Sequence, residues 1–173
     1  MSKQDYGTPW EFIRACEARF GRLVADLAAH PENAKHETFL RPEQDSLSIE
    51  WAKWFPTGTL WLNPPFVDIA PWAAKCADES TRRHGLILML TPASIGTEWF
   101  QAHVHRKALV IGLAPRMIFD GTPSNPKTGK PDGYPKDLML SVFGFGANGF
   151  DTWRWKGHTP RRRPQKQPTK RAM

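Results

Sequence analysis

Leu86-Ile87-Leu88-Met89-Leu90 is an unbroken apolar run with no polar residue to turn toward water, so a strand built from it must be covered on both faces. Runs of the same character occur at Leu23-Val24-Ala25, Thr59-Leu60-Trp61-Leu62, Ala108-Leu109-Val110-Ile111 and Leu138-Met139-Leu140-Ser141-Val142-Phe143. Between them lie stretches with apolar residues at helical spacing: Trp10, Phe12, Ile13, Cys16 and Phe20, then Ile69 to Arg82, then Glu98 to His105. Strands alternating with helices imply an α/β sheet with helices on its faces. The segment from Leu27 to Trp54 gives mixed signals and places no strand. The Gly-, Pro-, Asn- and Lys-rich stretch from Asp120 to Asp137 reads as a long loop, of the kind that is usually functional or mobile.

A chain of 173 residues with 40 % hydrophobic content can supply one packed core without disulfides. Cys16 and Cys76 are far apart and form no Cys-x-x-Cys pair, so neither a disulfide framework nor a zinc site is expected. His103 and His105 alternate, but helical spacing there would turn them apart, and no metal site is expected. No apolar stretch approaches the ~20 residues that span a bilayer, and the polar start Met1-Ser2-Lys3-Gln4-Asp5 lacks a signal-peptide pattern. The expectation is a cytoplasmic protein with no membrane partner.

The net charge is +7, and it is concentrated at one end. Arg161, Arg162, Arg163, Lys166, Lys170 and Arg171 follow Pro160 with no acid among them, which leaves the rest of the chain nearly neutral. Residues 160–173 read as a basic tail too polar to offset its chain entropy, hence disordered, attached to a folded domain over 1–159. Two roles stand for this tail: a solubilising segment, or one that contacts phosphates.

The apolar run ending at Leu62 leads into Asn63-Pro64-Pro65-Phe66, and a helical pattern follows. Each residue of this turn has a distinct chemical use. The prolines fix the backbone and remove N–H donors. The Asn63 side-chain oxygen and the Pro64 carbonyl could accept both hydrogens of a substrate amino group, aligning its nitrogen lone pair with an incoming methyl group. Phe66 could stack on the planar ring that bears the amine, a contact worth roughly 1–3 kcal/mol for a base. The alternative is a stiff turn whose Phe66 enters the core, which the position after a strand disfavours.

The order Gly7-Thr8-Pro9-Trp10, Asp26-Leu27-Ala28-Ala29, Asn33-Ala34, Asp45-Ser46-Leu47, Trp51 and Leu62-Asn63-Pro64-Pro65-Phe66 resembles the phage and prophage DNA N-6-adenine-methyltransferase family, a Dam-like group. The resemblance runs over about residues 7–145 and excludes the basic tail. It implies a Rossmann-like class I methyltransferase sheet with helices on both faces, S-adenosylmethionine as methyl donor, adenine in double-stranded DNA as acceptor, and a phage or prophage protein working in the bacterial cytoplasm.

The same resemblance makes Asn63, Pro64, Pro65 and Phe66 the catalytic turn and carries a cofactor site onto Thr8, Pro9, Asp26, Ala28, Asn33 and Asp45. Thr8-Pro9 resembles a motif that meets the methionine carboxylate; an ordinary helix N-cap at Thr8 explains the same residues. Asp26 matches an acid at the end of the first strand that accepts from the cofactor's ammonium or ribose hydroxyls. Asp45 could accept from the cofactor's adenine amine, or form an exposed Asx-turn. No Gly-rich loop follows the first strand, where Ala28 and Ala29 stand instead. Arg116, Lys127, Lys130, Tyr134 and Lys136 are candidate DNA contacts; a salt bridge for Arg116 and a solvated loop for the others are the rival readings.

Methyl transfer to N6 of a flipped adenine by direct displacement is the leading functional expectation. RNA or protein amide methylation through the same turn, and a non-catalytic DNA-binding accessory role, are the alternatives. With little room for a separate target-recognition domain, specificity would come from short loops and perhaps a second subunit.

Overall fold

The computed structural model describes residues 7–157. The basic tail therefore lies outside the described residues. Six strands, β1 (Leu23–Asp26), β2 (Thr59–Leu62), β3 (Ile87–Pro92), β4 (Ala108–Ala114), β5 (Leu138–Phe143) and β6 (Gly149–Arg154), form one sheet in the order β1-β2-β3-β5-β4-β6. β1, β2 and β3 run parallel, β5 is antiparallel to both of its neighbours, and β4 is parallel to β6. The carboxyl ends of β1 and β2 thus open on the same side of the sheet, where Asp26 closes β1 and Asn63 directly follows β2.

Alternation along the strands explains why the apolar runs are continuous. Leu60, Leu62, Ile87, Met89, Met139 and Phe143 pack on one face, under α2 (Trp51–Trp54), α3 (Ala70–Arg82) and α4 (Glu98–His103). Trp61, Leu88, Leu90, Ile111, Leu140 and Val142 pack on the other, under α1 (Trp10–Phe20) and the segment carrying Met117 and Phe119. Phe12 of α1 meets Trp61 edge-on at 6.1 Å and Trp155 at 5.1 Å. Each fully buried large side chain contributes about 1.5–3 kcal/mol, so both layers are needed to hold the sheet.

Several elements differ from the sequence expectation. α1 is N-capped by Pro9, without a side-chain cap, and the Phe12 and Ile13 N–H groups donate to the Pro9 carbonyl. Thr8 is therefore not the N-cap. β3 continues through Thr91 and Pro92, because its pairing with β5 extends to Thr91 opposite Met139 and Pro92 opposite Leu138. α4 stops at His103, ahead of a left-handed backbone at Arg106. β6 escaped notice because an edge strand exposes most of its residues, leaving no apolar run to read. The stretch after β1 holds no strand beyond a bridge between Asp26 and Phe39, and residues 120–137 are irregular, as expected.

Arg83 fixes the entry to β2. Its guanidinium donates to the carbonyls of Phe55, Thr57, Gly58 and Leu86 at 2.8–3.0 Å. Gly85 passes so close to this turn that a Cβ there would lie 2.0 Å from the Gly58 carbonyl oxygen.

Candidate active site

β2 delivers the chain into Asn63-Pro64-Pro65-Phe66 at the sheet's edge. Asn63 is half-buried, and its Oδ1 is enclosed without a hydrogen-bond partner. Pro64 is buried and Pro65 exposed. Phe66 stands edge-on to Phe119 at 6.5 Å and to Tyr134 at 5.9 Å, and these two rings meet each other at 5.5 Å. The irregular 115–137 segment thereby reaches across to the Asn-Pro-Pro turn and closes an aromatic triangle around Phe66. Burial also pushes the Tyr134 hydroxyl above its ordinary pKa.

Beside this turn lies a cavity of about 290 Å³. Thr8, Asp26, Ala28, Asn33, Asp45 and Asn63 all line it. Five of the six residues marked out for a cofactor are thus gathered with Asn63, although they are scattered over the first half of the sequence. Pro65 joins them, whereas Pro9, Pro64 and Phe66 are not part of the lining.

Asp26 is 2 % exposed and organises the cavity wall. Its Oδ1 accepts the Ala28 N–H at 3.3 Å and its Oδ2 the Lys35 N–H at 2.9 Å. Its main-chain N–H donates to the Thr38 carbonyl, and its own carbonyl accepts the Leu40 N–H. Together these bonds fold residues 27–40 back onto the end of β1 without a Gly-rich loop. Burial pushes the carboxyl up to about 6, against the opposing pull of the two amides.

Thr8 is 1 % exposed and its Oγ1 has no hydrogen-bond partner, so the hydroxyl freed from capping sits in the cavity wall. Asp45 has a left-handed backbone (φ 44°) closing the short 3-10 turn Pro42–Gln44. Its carbonyl, rather than its side chain, accepts from the Ser48 N–H and hydroxyl at 2.8 Å, so no Asx-turn occupies the carboxylate. The Asn33 Oδ1 accepts the His30 N–H and shapes the same wall.

Sequence reasoning missed three lining residues that could hold a ligand: Lys35, Trp72 and Arg41. Trp72 stacks on Trp51 with centroids 6.5 Å apart, and the Trp51 indole donates to the Ser46 carbonyl at 2.9 Å. Lys35 is a buried cation, which composition alone does not distinguish from a surface lysine.

The candidate DNA contacts divide. Arg116 donates to the Asp137 carboxylate and to the Pro135 carbonyl, both at 3.2 Å, and so clasps the ends of the loop. Lys127, Lys130 and Lys136 are exposed on that loop. Tyr134 turns inward onto Phe66.

Residues 1–143 match the family model described as DNA N-6-adenine-methyltransferase (Dam). The chain is 27 % identical over 143 residues to the DNA N-6-adenine-methyltransferase of Haemophilus phage HP1 (strain HP1c1), covering 82 % of this chain and 79 % of that protein. It is 36 % identical over 115 residues to the DNA N-6-adenine-methyltransferase of Escherichia phage T1, covering 66 % of this chain and 47 % of the relative. The match thus spans about half the length of the phage T1 protein. Among the described residues, no helix is long and apolar enough to cross a membrane.

Proposed function

The chain belongs to the DNA N-6-adenine-methyltransferase (Dam) family, and from that membership we propose that it transfers a methyl group from S-adenosylmethionine to the N6 amine of adenine in double-stranded DNA. One observation carries the assignment of the site: the enclosed, unpartnered Oδ1 of Asn63. A buried acceptor left without a donor costs about 1–3 kcal/mol, and a substrate amine would remove that cost on arrival.

In this reading the Asn63 Oδ1 and the Pro64 carbonyl each accept one hydrogen of the adenine amine. The two bonds orient the nitrogen lone pair toward the cavity and enrich it in electron density as the N–H bonds polarise. Pro64 and Pro65 hold the acceptors still. Phe66, braced by Phe119 and Tyr134, offers a ring against which an extruded base can pack.

The cavity suits the methyl donor. Its volume is close to the lower end of the range for small-molecule sites, and it combines a free hydroxyl at Thr8, a carboxylate at Asp45 and the indole of Trp72. When bound, S-adenosylmethionine supplies an electrophilic methyl group on a sulfonium sulfur. Thr8, Asn33 and Asp45 would hold its polar groups, Ala28 would allow close approach, Asp26 would shape the wall, and Pro9 would start the helix behind it.

A Rossmann-like class I sheet fits the parallel β1-β2-β3 run and the ligand-sized cavity at the carboxyl ends of β1 and β2. The domain is taken to extend over 1–159, with 160–173 as a basic tail. Lys127, Lys130 and Lys136 would meet phosphates, with Arg116 holding their loop in place. The test offers labelled S-adenosylmethionine with DNA, RNA and protein acceptors separately. Label in N6-methyladenine of DNA alone is expected; transfer favouring RNA or protein would overturn the acceptor assignment.

A further inference from the structure

Three large apolar side chains are left exposed on the side of the sheet that carries the catalytic turn. Val67, Ile95 and Ile118 are 76 %, 53 % and 43 % exposed. They sit on the segments that follow β2, β3 and β4. β2 and β3 are parallel, and β3 and β4 are both antiparallel to β5, so all three segments leave the sheet on the side where Asn63 follows β2. Val67 and Ile118 are next in sequence to Phe66 and Phe119, and they extend the apolar surface of the aromatic triangle outward. Single exposed apolar residues need no explanation, but three on the loops around one site mark a surface that something covers.

Ile95 projects furthest and is firmly held. Leu62 at the end of β2 stands opposite Met89, and β3 runs on for three more residues to Pro92, about 10 Å beyond that pair. Ile95 follows on a turn fastened from both sides. The Ser94 N–H donates to the Pro92 carbonyl at 2.8 Å, and Thr97 donates from its N–H and its hydroxyl to the Ser94 carbonyl at 3.2 and 2.7 Å. Gln101 Nε2 of α4 donates to the Ile95 carbonyl at 2.9 Å. The Ala93 N–H donates to the Asp137 carbonyl at 2.9 Å, which joins the turn to the end of the 120–137 loop. A Cβ built on the next residue, Gly96, would meet no atom within 4 Å, so the tip stands clear of the rest of the chain.

The loop joined to this turn supplies the charge that a nucleic acid would meet. Its three acids are all engaged: Asp120 by Lys35, Asp132 by Asn125 and Asp137 by Arg116. Its three lysines, Lys127, Lys130 and Lys136, are exposed and hold no carboxylate among the described residues. An apolar tip beside unpaired ammonium groups suits a duplex, whose outside is phosphate and whose interior is stacked base. We infer that Ile95 enters the base stack at the gap the extruded adenine leaves, as a positioning residue that keeps the base from falling back while Asn63 and Pro64 hold its amine. This rests on the reading of the chain as a DNA adenine methyltransferase. The tip makes and breaks no covalent bond; it replaces stacking that the departing base gives up.

Single-turnover methylation by the full chain on two duplexes tests the assignment. In one the target adenine is paired with thymine; in the other it faces an abasic site, so no base pair has to be broken. Ile95→Ala is expected to slow transfer to the paired duplex by roughly ten- to hundredfold and to leave transfer to the abasic duplex, and S-adenosylmethionine affinity, near wild type. Ile95→Leu keeps an apolar tip and should restore most of the lost rate. Equal loss on both duplexes, or no loss on either, would overturn the role of Ile95. A changed oligomeric state with paired-duplex methylation intact would make this surface a protein contact and overturn it as well. Ile95→Gln, which keeps the size of the side chain and leaves an exposed position polar, should reproduce the selective loss if Ile95→Ala does not fold; normal transfer by that variant counts against the inference in the same way. Failure of wild type to methylate either duplex would reject the functional reading itself, whereas wild-type transfer with no selective loss in the variants rejects only the wedge.

Discussion

The carboxylate of Asp26 accepts the main-chain N–H of Lys35, nine residues further on, at 2.9 Å. One residue at the end of β1 thus determines where the next stretch of cavity wall lies, and the side chain of Lys35 follows its backbone into place. Asp26→Ala would leave the Ala28 and Lys35 amides without their acceptor, at about 1–3 kcal/mol for each group that water cannot reach. Denaturant unfolding should show a loss of that order, and calorimetry a fall of at least tenfold in S-adenosylmethionine affinity. Wild-type values for both would refute the organising role.

Burial also makes Asp26 a titrating group in an unusual range. Its carboxyl is raised from 3.8 to about 6, so the folded protein binds a proton more tightly than the unfolded chain. The resulting contribution to stability is complete below about pH 4 and is lost as pH rises through about 6, by roughly 3 kcal/mol in all. Carbon-13 NMR of the Asp26 carboxyl should give a midpoint near 6 in the ligand-free protein. A midpoint near 4 would show that the amides fully offset desolvation, and the predicted pH dependence would be absent.

Arg83 and Gly85 should matter for stability without touching chemistry. Arg83→Lys keeps the charge but cannot reach four carbonyls at once, and several kcal/mol should be lost on unfolding. Gly85→Ala drives a methyl group into the Gly58 carbonyl, and an overpacking loss of about 1–3 kcal/mol is expected. Both effects are read from denaturant midpoints, and the variants that fold should bind cofactor normally. Unchanged midpoints would contradict the tight turn.

The apolar runs at Leu23, Thr59, Leu86, Ala108 and Leu138 made five of the six strands legible, because a strand covered on both faces must be apolar at nearly every position. β6 was not legible, since its exposed edge relaxes that demand. The site was partly readable for a different reason. Asn63, Asp26 and Thr8 stand at the ends of elements, where an acid, an amide or a hydroxyl departs from the local apolar pattern. Lys35 and Trp72 do not depart from theirs. Lys35 acquires its place only through the fold of residues 27–40 and the arrival of Asp120 from 85 residues away. Such long-range pairing leaves no periodicity to detect.

The aromatic triangle predicts unequal roles for its members. Tyr134→Phe keeps the ring that braces Phe66 and should leave base retention near normal. Tyr134→Ala removes that brace, and Phe66→Ala removes the stacking face itself, so retention of an extruded base should fall in that order. Phe66→Tyr and Phe66→Trp keep an aromatic face and should be largely tolerated. Fluorescence of 2-aminopurine at the target position measures the extruded state directly. Full extrusion by Phe66→Ala would remove the ring from the mechanism.

Asn63→Ala isolates the polar half of the site, because it deletes the unpartnered Oδ1 while leaving Pro64, Pro65 and the wall around Asp26 and Thr8 untouched. Since that oxygen bonds to nothing in the folded chain, its removal forfeits no internal hydrogen bond, and stability should hold or rise slightly. Methyl transfer should fall by on the order of 10²–10³, the scale seen when one preorganised hydrogen-bonding group is removed from a reacting centre. Cofactor affinity should change by less than about threefold, on the scale of one weak contact. Asn63→Asp retains an acceptor at the same position and should keep more activity than Asn63→Ala, despite the penalty for enclosing a charge. Single-turnover methylation of adenine-containing DNA, run beside calorimetry and unfolding, separates these effects. A folded Asn63→Ala protein that transfers methyl groups at the normal rate would show that the free oxygen is not where the amine binds, and the catalytic turn would have to be sought elsewhere on the cavity rim.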